Sequence, residues 1–328
     1  MEPRLCFVPH PAGLLHAGTL QTAVFTWAFS RHLGGDWVQA TDSADLLTAL
    51  SWLGLDWDEE VEGELTAVSH HPTITHIIAD PSWHPAAPQH NPTATWLFLP
   101  PLVDTLGRPL PSNGYLAHQF ESKGYLPAAL FNFLLRLSWQ PTSGQEIISK
   151  WEARQQFDPT AILQEPIHFD WARLDRMNQH YIAQLSDTQL AEQIRPFLED
   201  AYDYLPAEGN WLPQLASLIR PDLVRLEDAV DLAEWAFTDE VAQTNQVTPP
   251  EARPILARLV AEIAAVVLLD EQTAVAILNA IQPASPTAIH PIIEAALTGT
   301  IKHSPIPKIL GIIGKQRALN RLAATIRY

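Results

Sequence analysis

Pro9-His10-Pro11-Ala12-Gly13-Leu14-Leu15-His16-Ala17-Gly18-Thr19 is the stretch on which the fold turns. Ahead of it, Leu5-Cys6-Phe7-Val8 is a short apolar run bounded by proline, the pattern of a buried strand. Behind it, Leu20, Val24, Trp27 and Phe29 recur at near-helical spacing. Thr19 offers a cap at the start of that helix, and Gly34 can close it in a left-handed turn. A strand, a glycine-bearing loop and a helix whose first N–H groups face the loop form a ready anion site. Gly-x-x-His-x-Gly is nonetheless a short pattern, and an ordinary strand-to-helix turn accounts for it equally well.

Working outward, Asp36-Trp37-Val38-Gln39-Ala40-Thr41 reads as a second strand and residues 44–53 as a helix with Leu46, Leu47, Leu50 and Leu53 on one side. A strand-helix-strand-helix opening implies a parallel sheet with both faces covered. A length of 328 residues suits two or three domains, and an apolar content of 47% with 11 Trp excludes global disorder. Cys6 stands alone, so an internal disulfide and a multi-cysteine zinc site are both excluded. The N-terminus has no basic segment followed by an apolar run. The most apolar stretch, residues 259–269, carries Glu262 and is too short to span a bilayer. A soluble, cytoplasmic protein without membrane partners is expected.

A formal net charge of −17 opposes non-specific nucleic-acid binding over the whole surface, because neutralisation of phosphates by Lys and Arg supplies most of that affinity. The charge is uneven. Residues 301–328 hold Lys302, Lys308, Lys315, Arg317, Arg321 and Arg327 and no acid. Such an end is either a polyanion contact or a solvated helix face docked on an acidic neighbour.

The run Ala49-Leu50-Ser51-Trp52-Leu53-Gly54-Leu55-Asp56-Trp57-Asp58-Glu59, taken with the opening stretch, closely resembles glutamyl-tRNA synthetases, class I enzymes with a Rossmann-like catalytic domain. His16-Ala17-Gly18-Thr19 would be the counterpart of the HIGH signature, which packs on ATP. Thr75-His76-Ile77-Ile78 and Gly107-Arg108-Pro109-Leu110 resemble a late strand and the KMSKS loop, and 123–134 the helix that follows. Phe157-Asp158, Phe169-Asp170, Leu174, Asn178 and His180-Tyr181-Ile182 are similar to the stem-contact region. Ala296-Leu297-Thr298-Gly299 and Ile312-Ile313-Gly314-Lys315-Gln316-Arg317 are similar to the end of the helical anticodon-binding part. The resemblance implies an α/β Rossmann-like (HUP-type) parallel-sheet domain over 1–117, a stem-contact-like helical region over 118–204 and an all-helical anticodon-binding-like domain over 205–328. It also implies ATP, with Mg, as cofactor, held by His16, Gly18, Thr19 and Arg108.

The departures from the family are as informative. Between Asp58 and Thr75 the family carries a large insertion that grips the tRNA acceptor end, and here only a short loop remains. The arginine that pairs with the substrate glutamate falls at Cys6, the serine of the Pro-Ser-Pro turn at His10, the carboxylate for the ammonium at Asp42, and a second arginine at Ala79. A neutral thiol cannot replace a fork of donors facing a carboxylate. Where the family has Gly-Lys-Lys-Leu-Ser-Lys-Arg, the run Gly107-Arg108-Pro109-Leu110-Pro111-Ser112-Asn113 keeps one cation, Arg108. Each lost electrostatic donor costs on the order of 3 kcal/mol in the transition state, and two prolines stiffen a loop that must move over the nucleotide.

His70, His71, His76, His84 and His90 fit no metal-ligand spacing, and no metal site is expected. Pro81, Pro85, Pro88 and Pro92 suggest an irregular, mostly extended connector. From Lys123 onward the periodicity is helical, with 254–281 apolar on several faces and expected to be central. Glu294 stands where many relatives have arginine, while Lys302, Lys315, Arg317 and Arg321 are the candidates for contact with tRNA. These observations lead to a glutamyl-tRNA synthetase-like pseudoenzyme that binds tRNA or an intact synthetase, against the alternative of a working ligase or adenylate-forming enzyme with an altered substrate.

Overall fold

The computed structural model describes residues 2–10, 13, 15–40, 43–83, 87–111, 113–206, 209–239, 241, 249–250, 252–281 and 286–327, with the side chains of 87–88, 286–288 and 327 excepted. Asp42 and Ser112 lie outside the described residues. Two compact units divide the chain, Met1–Tyr181 and Ile182–Tyr328.

The first unit opens with β1 (Arg4–Phe7), α1 (Ala17–Leu33), β2 (Asp36–Ala40), α2 (Ala44–Trp52), β3 (Glu59–Val61), α3 (Leu65–Ser69), β4 (His76–Ala79), α4 (Ala87–His90) and β5 (Thr95–Phe98). The five strands make one sheet in the order β3-β2-β1-β4-β5. All four pairings are parallel, with Leu5 opposite both Trp37 and His76. Strand β1 is central, and Leu5, Cys6 and Phe7 are fully buried, which is why the run is continuously apolar rather than alternating. The Rossmann-like sheet implied by the sequence is present.

Helix α1 is buried from Ala17 to Ser30. It ends as expected at Gly34, whose φ of 66° is left-handed and whose N–H reaches the Ser30 carbonyl. Its start differs from expectation. His16, not Thr19, is the cap, its Nδ1 accepting from the Gly18 N–H at 3.1 Å. Beyond α2, the Leu-Gly-Leu-Asp-Trp-Asp run ties α1 to β2. Trp27 Nε1 donates to Asp56 at 2.6 Å, Arg31 to Asp58 at 2.6 Å, and the Trp37 N–H to Asp58 at 2.8 Å.

Strand β3 reaches β4 through α3 and its flanking turns alone. In its described residues the proline-rich connector departs from the extended form expected, Pro81–Trp83 winding into a 3-10 turn and α4 into a single helical turn, while His84 and Pro85 lie outside the described residues. Proline suits both, because the first residues of a helical turn have no N–H to satisfy. The ring of His90 lies tilted against that of His70 with centroids 3.5 Å apart, and its Nε2 meets the Ser69 hydroxyl at 2.7 Å. Among the described residues no three His, Cys, Asp or Glu side chains gather as a metal cage.

The unit continues with β6 (Leu102–Val103), α5 (Ala117–Ser122), α6 (Pro127–Ser138), α7 (Lys150–Gln156), β7 (Ile167–His168) and α8 (Trp171–Gln184), the last crossing the unit boundary. The second unit holds α9 (Asp187–Ala201), α10 (Trp211–Ile219), α11 (Ala229–Phe237), α12 (Ala252–Ala265), α13 (Glu271–Ile281), α14 (Pro286–Thr298) and α15 (Ile306–Arg327). Leu256, Leu259, Ile263, Leu297, Ile309, Leu310 and Leu322 form its core. The apolar 254–281 segment is not wholly central. Asp270 starts α13 by accepting from the Thr273 N–H at 2.7 Å, which breaks the segment and leaves Val267 99% and Leu268 68% exposed at the tip.

Candidate functional site

The loop from β1 to α1 is drawn tight by Thr19. Its hydroxyl donates to the Gly13 carbonyl at 2.8 Å and accepts from the His10 N–H at 2.9 Å. Trp83 Nε1 clamps the preceding Pro9 carbonyl at 3.2 Å. The expected site residues His10, His16, Gly18 and Thr19 therefore come together. They do so around each other. The His10 ring stacks on His16 with centroids 4.8 Å apart and 22° between planes, and its Nε2 lies 3.5 Å from the Asp80 carboxylate.

Gly18 is where the ring matters most. A Cβ built there would stand 2.6 Å from His10 Cδ2 and 2.8 Å from its Cγ, so the space against the glycine is already filled. The face of Gly18 toward the loop is thus covered by the His10 ring.

His16 is fully buried, and burial, helped by neighbouring His10, lowers its pKa to about 4 against the pull of the Pro111 carbonyl and Asp80. Burial likewise lowers His10, opposed by Asp80. Neither ring is a cation at neutral pH. Because Nδ1 of His16 accepts from Gly18, its proton sits on Nε2, a buried donor that makes no close hydrogen bond among the described residues and feels only the Pro111 carbonyl.

The amino-acid pocket positions are equally altered. Cys6 is fully buried in β1, and burial pushes its thiol far up, so it stays neutral. Ala79 ends β4 and is also fully buried. Arg108 is 70% exposed, but its guanidinium is turned back onto Asp104, with NH2 2.7 Å and Nε 2.9 Å from Oδ2. The loop that follows is tied down by backbone bonds, Ala17 N–H to Tyr115 at 2.8 Å and Ala117 N–H to Leu15 at 2.9 Å.

Asp80 and Tyr115 escaped the sequence reading. Asp80 could have been found as a carboxylate just past β4, and Tyr115, with a left-handed φ of 60°, gives no sequence signal. Tyr115 is held by stacking on Trp171 at 5.3 Å and packing edge-on against Phe169 at 4.8 Å.

In the second unit the candidate cations are engaged. Lys302 Nζ lies 2.7 Å from Asp222. Lys315 Nζ donates to the carbonyls of Ala264 and Val266 at 2.8 and 2.6 Å. Arg317 meets Asp239 at 3.1 Å and the Ala236 carbonyl at 3.0 Å. Arg321 is 4% exposed and donates to the carbonyls of Leu297, Trp235 and Thr238, which makes it a structural cation; burial first, then Arg317, lowers its pKa to about 10. Glu294 is buried, its carboxylate accepting the N–H groups of Lys302, His303 and Ser304 at 2.9–3.0 Å. Trp83 and Trp96 are partly buried against the first unit's core. No described helix is long and apolar enough to cross a membrane.

Residues 189–326 match the family described as the anticodon binding domain. The glutamate–tRNA ligase of Nitrobacter hamburgensis is 23% identical over 465 aligned positions, covering 96% of this chain and 97% of that protein. That alignment is longer than the 328 residues available, so the relative carries a long stretch with no counterpart here. The ligase of Desulforamulus reducens is 30% identical over 222 residues, 64% of this chain and 46% of that protein. Crystal structures of glutamate–tRNA synthetase from Elizabethkingia anophelis and of glutamate tRNA ligase from Elizabethkingia meningosepticum superpose with a TM-score of 0.76 each, at 15% and 14% identity. They cover 100% of this chain and 100% and 99% of theirs. From the first strand to the last helix, this chain is similar in order to glutamate–tRNA ligases, shares the fold of the solved glutamate–tRNA synthetases and carries an anticodon-binding half.

Proposed function

We propose that this protein does not activate glutamate and works instead by binding tRNA through its helical unit. The observation that carries the first part is the state of the amino-acid pocket: where the resemblance expects two arginines stand a buried neutral thiol, Cys6, and a buried methyl, Ala79. A substrate carboxylate brought there would be desolvated without a cationic partner, which is costly. Arg108, the surviving cation of the KMSKS counterpart, has its own carboxylate on Asp104 and is not poised over phosphates. The second part is supported by the anticodon-domain match and by Lys302 and Arg317, which remain partly exposed.

ATP–pyrophosphate exchange, run on the purified chain with every amino acid in turn and with and without tRNA, tests the first part. No exchange above background is expected. Robust exchange with any amino acid would establish the rival reading, a ligase of altered substrate. Filter binding of bulk tRNA tests the second: saturable, salt-sensitive retention is expected at micromolar protein. Its absence removes tRNA as the ligand.

A further inference from the structure

We propose that His10 is a built-in occupant of the nucleotide cradle, its imidazole standing where an adenine nucleotide would lie against Gly18, and that this one side chain keeps the cradle shut. The proposal rests on the impaired-activation reading and names the residue that closes the site. The ring is fixed from three directions. The backbone N–H of His10 donates to the Thr19 hydroxyl at 2.9 Å, the ring's face lies on His16 at 4.8 Å, and its Nε2 looks to Asp80 at 3.5 Å. Trp83 holds the carbonyl of the residue before it. The gap between His10 and Gly18 is too small even for a methyl group, since a Cβ on Gly18 would come to 2.6 Å from the ring.

Beneath that ring the means of holding an oxyanion survive. Helix α1 runs for 17 residues from the loop, and the protonated Nε2 of His16 is buried with no close hydrogen bond among the described residues, only the pull of the Pro111 carbonyl. A buried donor so weakly engaged is unusual in a packed interior, and a phosphate oxygen is the kind of acceptor that would meet it. His10 supplies stacking but no acceptor to that nitrogen in the present arrangement. Being tethered and already ordered, it competes without the loss of translational and rotational freedom that a free nucleotide bears.

Calorimetric titration of the full chain with Mg-ATP reads the effect directly, using wild type, His10→Ser and His10→Ala. Wild type is expected to show no saturable binding up to about 1 mM, and both variants to bind at least about tenfold tighter. Adding Gly18→Ala to either opened variant is expected to abolish the binding, and binding that persists there puts the nucleotide elsewhere and overturns the proposal. Melting temperatures give a second readout that needs no ligand. Gly18→Ala should lower Tm more in wild type than in the His10→Ser background, because the clash is with the ring, and equal losses in both overturn the packing argument. ATP affinities of wild type and both variants within about threefold of one another, whether all tight or all undetectable, also overturn it. Pyrophosphate exchange on the same wild-type sample separates the two readings. Exchange refutes impaired activation, whereas variants that stay closed without exchange refute only the role of His10.

Discussion

A buried imidazole that must stay neutral makes stability depend on pH. His16 titrates at about 4 in the folded chain, against about 6.5 when exposed, so between those values the unfolded chain binds more protons. Its contribution is complete above pH 6.5 and is lost as pH falls toward 4, by up to about 3 kcal/mol. Urea denaturation at pH 7 and at pH 4.5 should show a smaller loss for His16→Gln than for wild type; equal losses would mean the ring is solvated. Glu294 supports a second expectation. Three N–H groups converge on its carboxylate, so Glu294→Ala strands them and should cost about 2–4 kcal/mol in the same assay, with Glu294→Gln roughly midway. From the sequence Glu294 could be read only as a charge opposite to that of its relatives. Its partners lie eight to ten residues onward in a turn containing His303 at a φ of 60°, which no local pattern announces. His10 was legible as the wrong residue for an amino-acid pocket, but not as a ring folded over Gly18, since that depends on where Asp80 and His16 stand.

At the level of elements, the basic C-terminal stretch resolves into caps for other helices. The last carbonyls of a helix have no partner within it. Lys315 serves those at the end of α12, Arg317 those at the end of α11, and Arg321 those of both α11 and α14. Arg321→Met should therefore destabilise the second unit by about 2–4 kcal/mol, and Arg321→Lys should recover less than half of that, because one ammonium cannot reach three diverging carbonyls. Lys315→Met should cost only about 1 kcal/mol. Chemical denaturation of the full chain measures all three; a cost for Arg321→Met within 0.5 kcal/mol of zero, the range of ordinary surface changes, would show the caps to be dispensable. Local signals read helix boundaries only in part: Gly34 ended α1 as expected, whereas Thr19 at its start misled, because the His16 ring two residues from Gly18 takes the cap. The caps on α11, α12 and α14 were not legible, because each joins residues far apart in sequence, Lys315 to Val266 across 49 positions and Arg321 to Trp235 across 86.

For the molecule as a whole, the parallel sheet was readable because a strand buried on both faces leaves a continuous apolar run, and the order of family-like segments carried the rest. Charge is where sequence and structure together constrain function most. A chain of net charge −17 must bind a polyanion through a local patch, and in the second unit Arg321 is buried and Lys315 is occupied by carbonyls. Of the four candidate cations, Lys302 and Arg317 are left with part of their surface in solvent, each beside an acid that a phosphate would have to displace. Two phosphate contacts give a slope of log affinity against log salt between about −1.4 and −1.8. Raising salt from 50 to 200 mM should then weaken tRNA binding by about tenfold, whereas a protein making six to ten contacts loses about a thousandfold or more. Charge reversal at Lys302 and Arg317 together should flatten the slope to near zero while leaving the fold intact by circular dichroism. A slope steeper than about −4 in wild type would place tRNA on a different and larger cationic surface. A steep slope that survives the double reversal would say that the basic end of this chain holds its own helices together and takes no part in holding RNA.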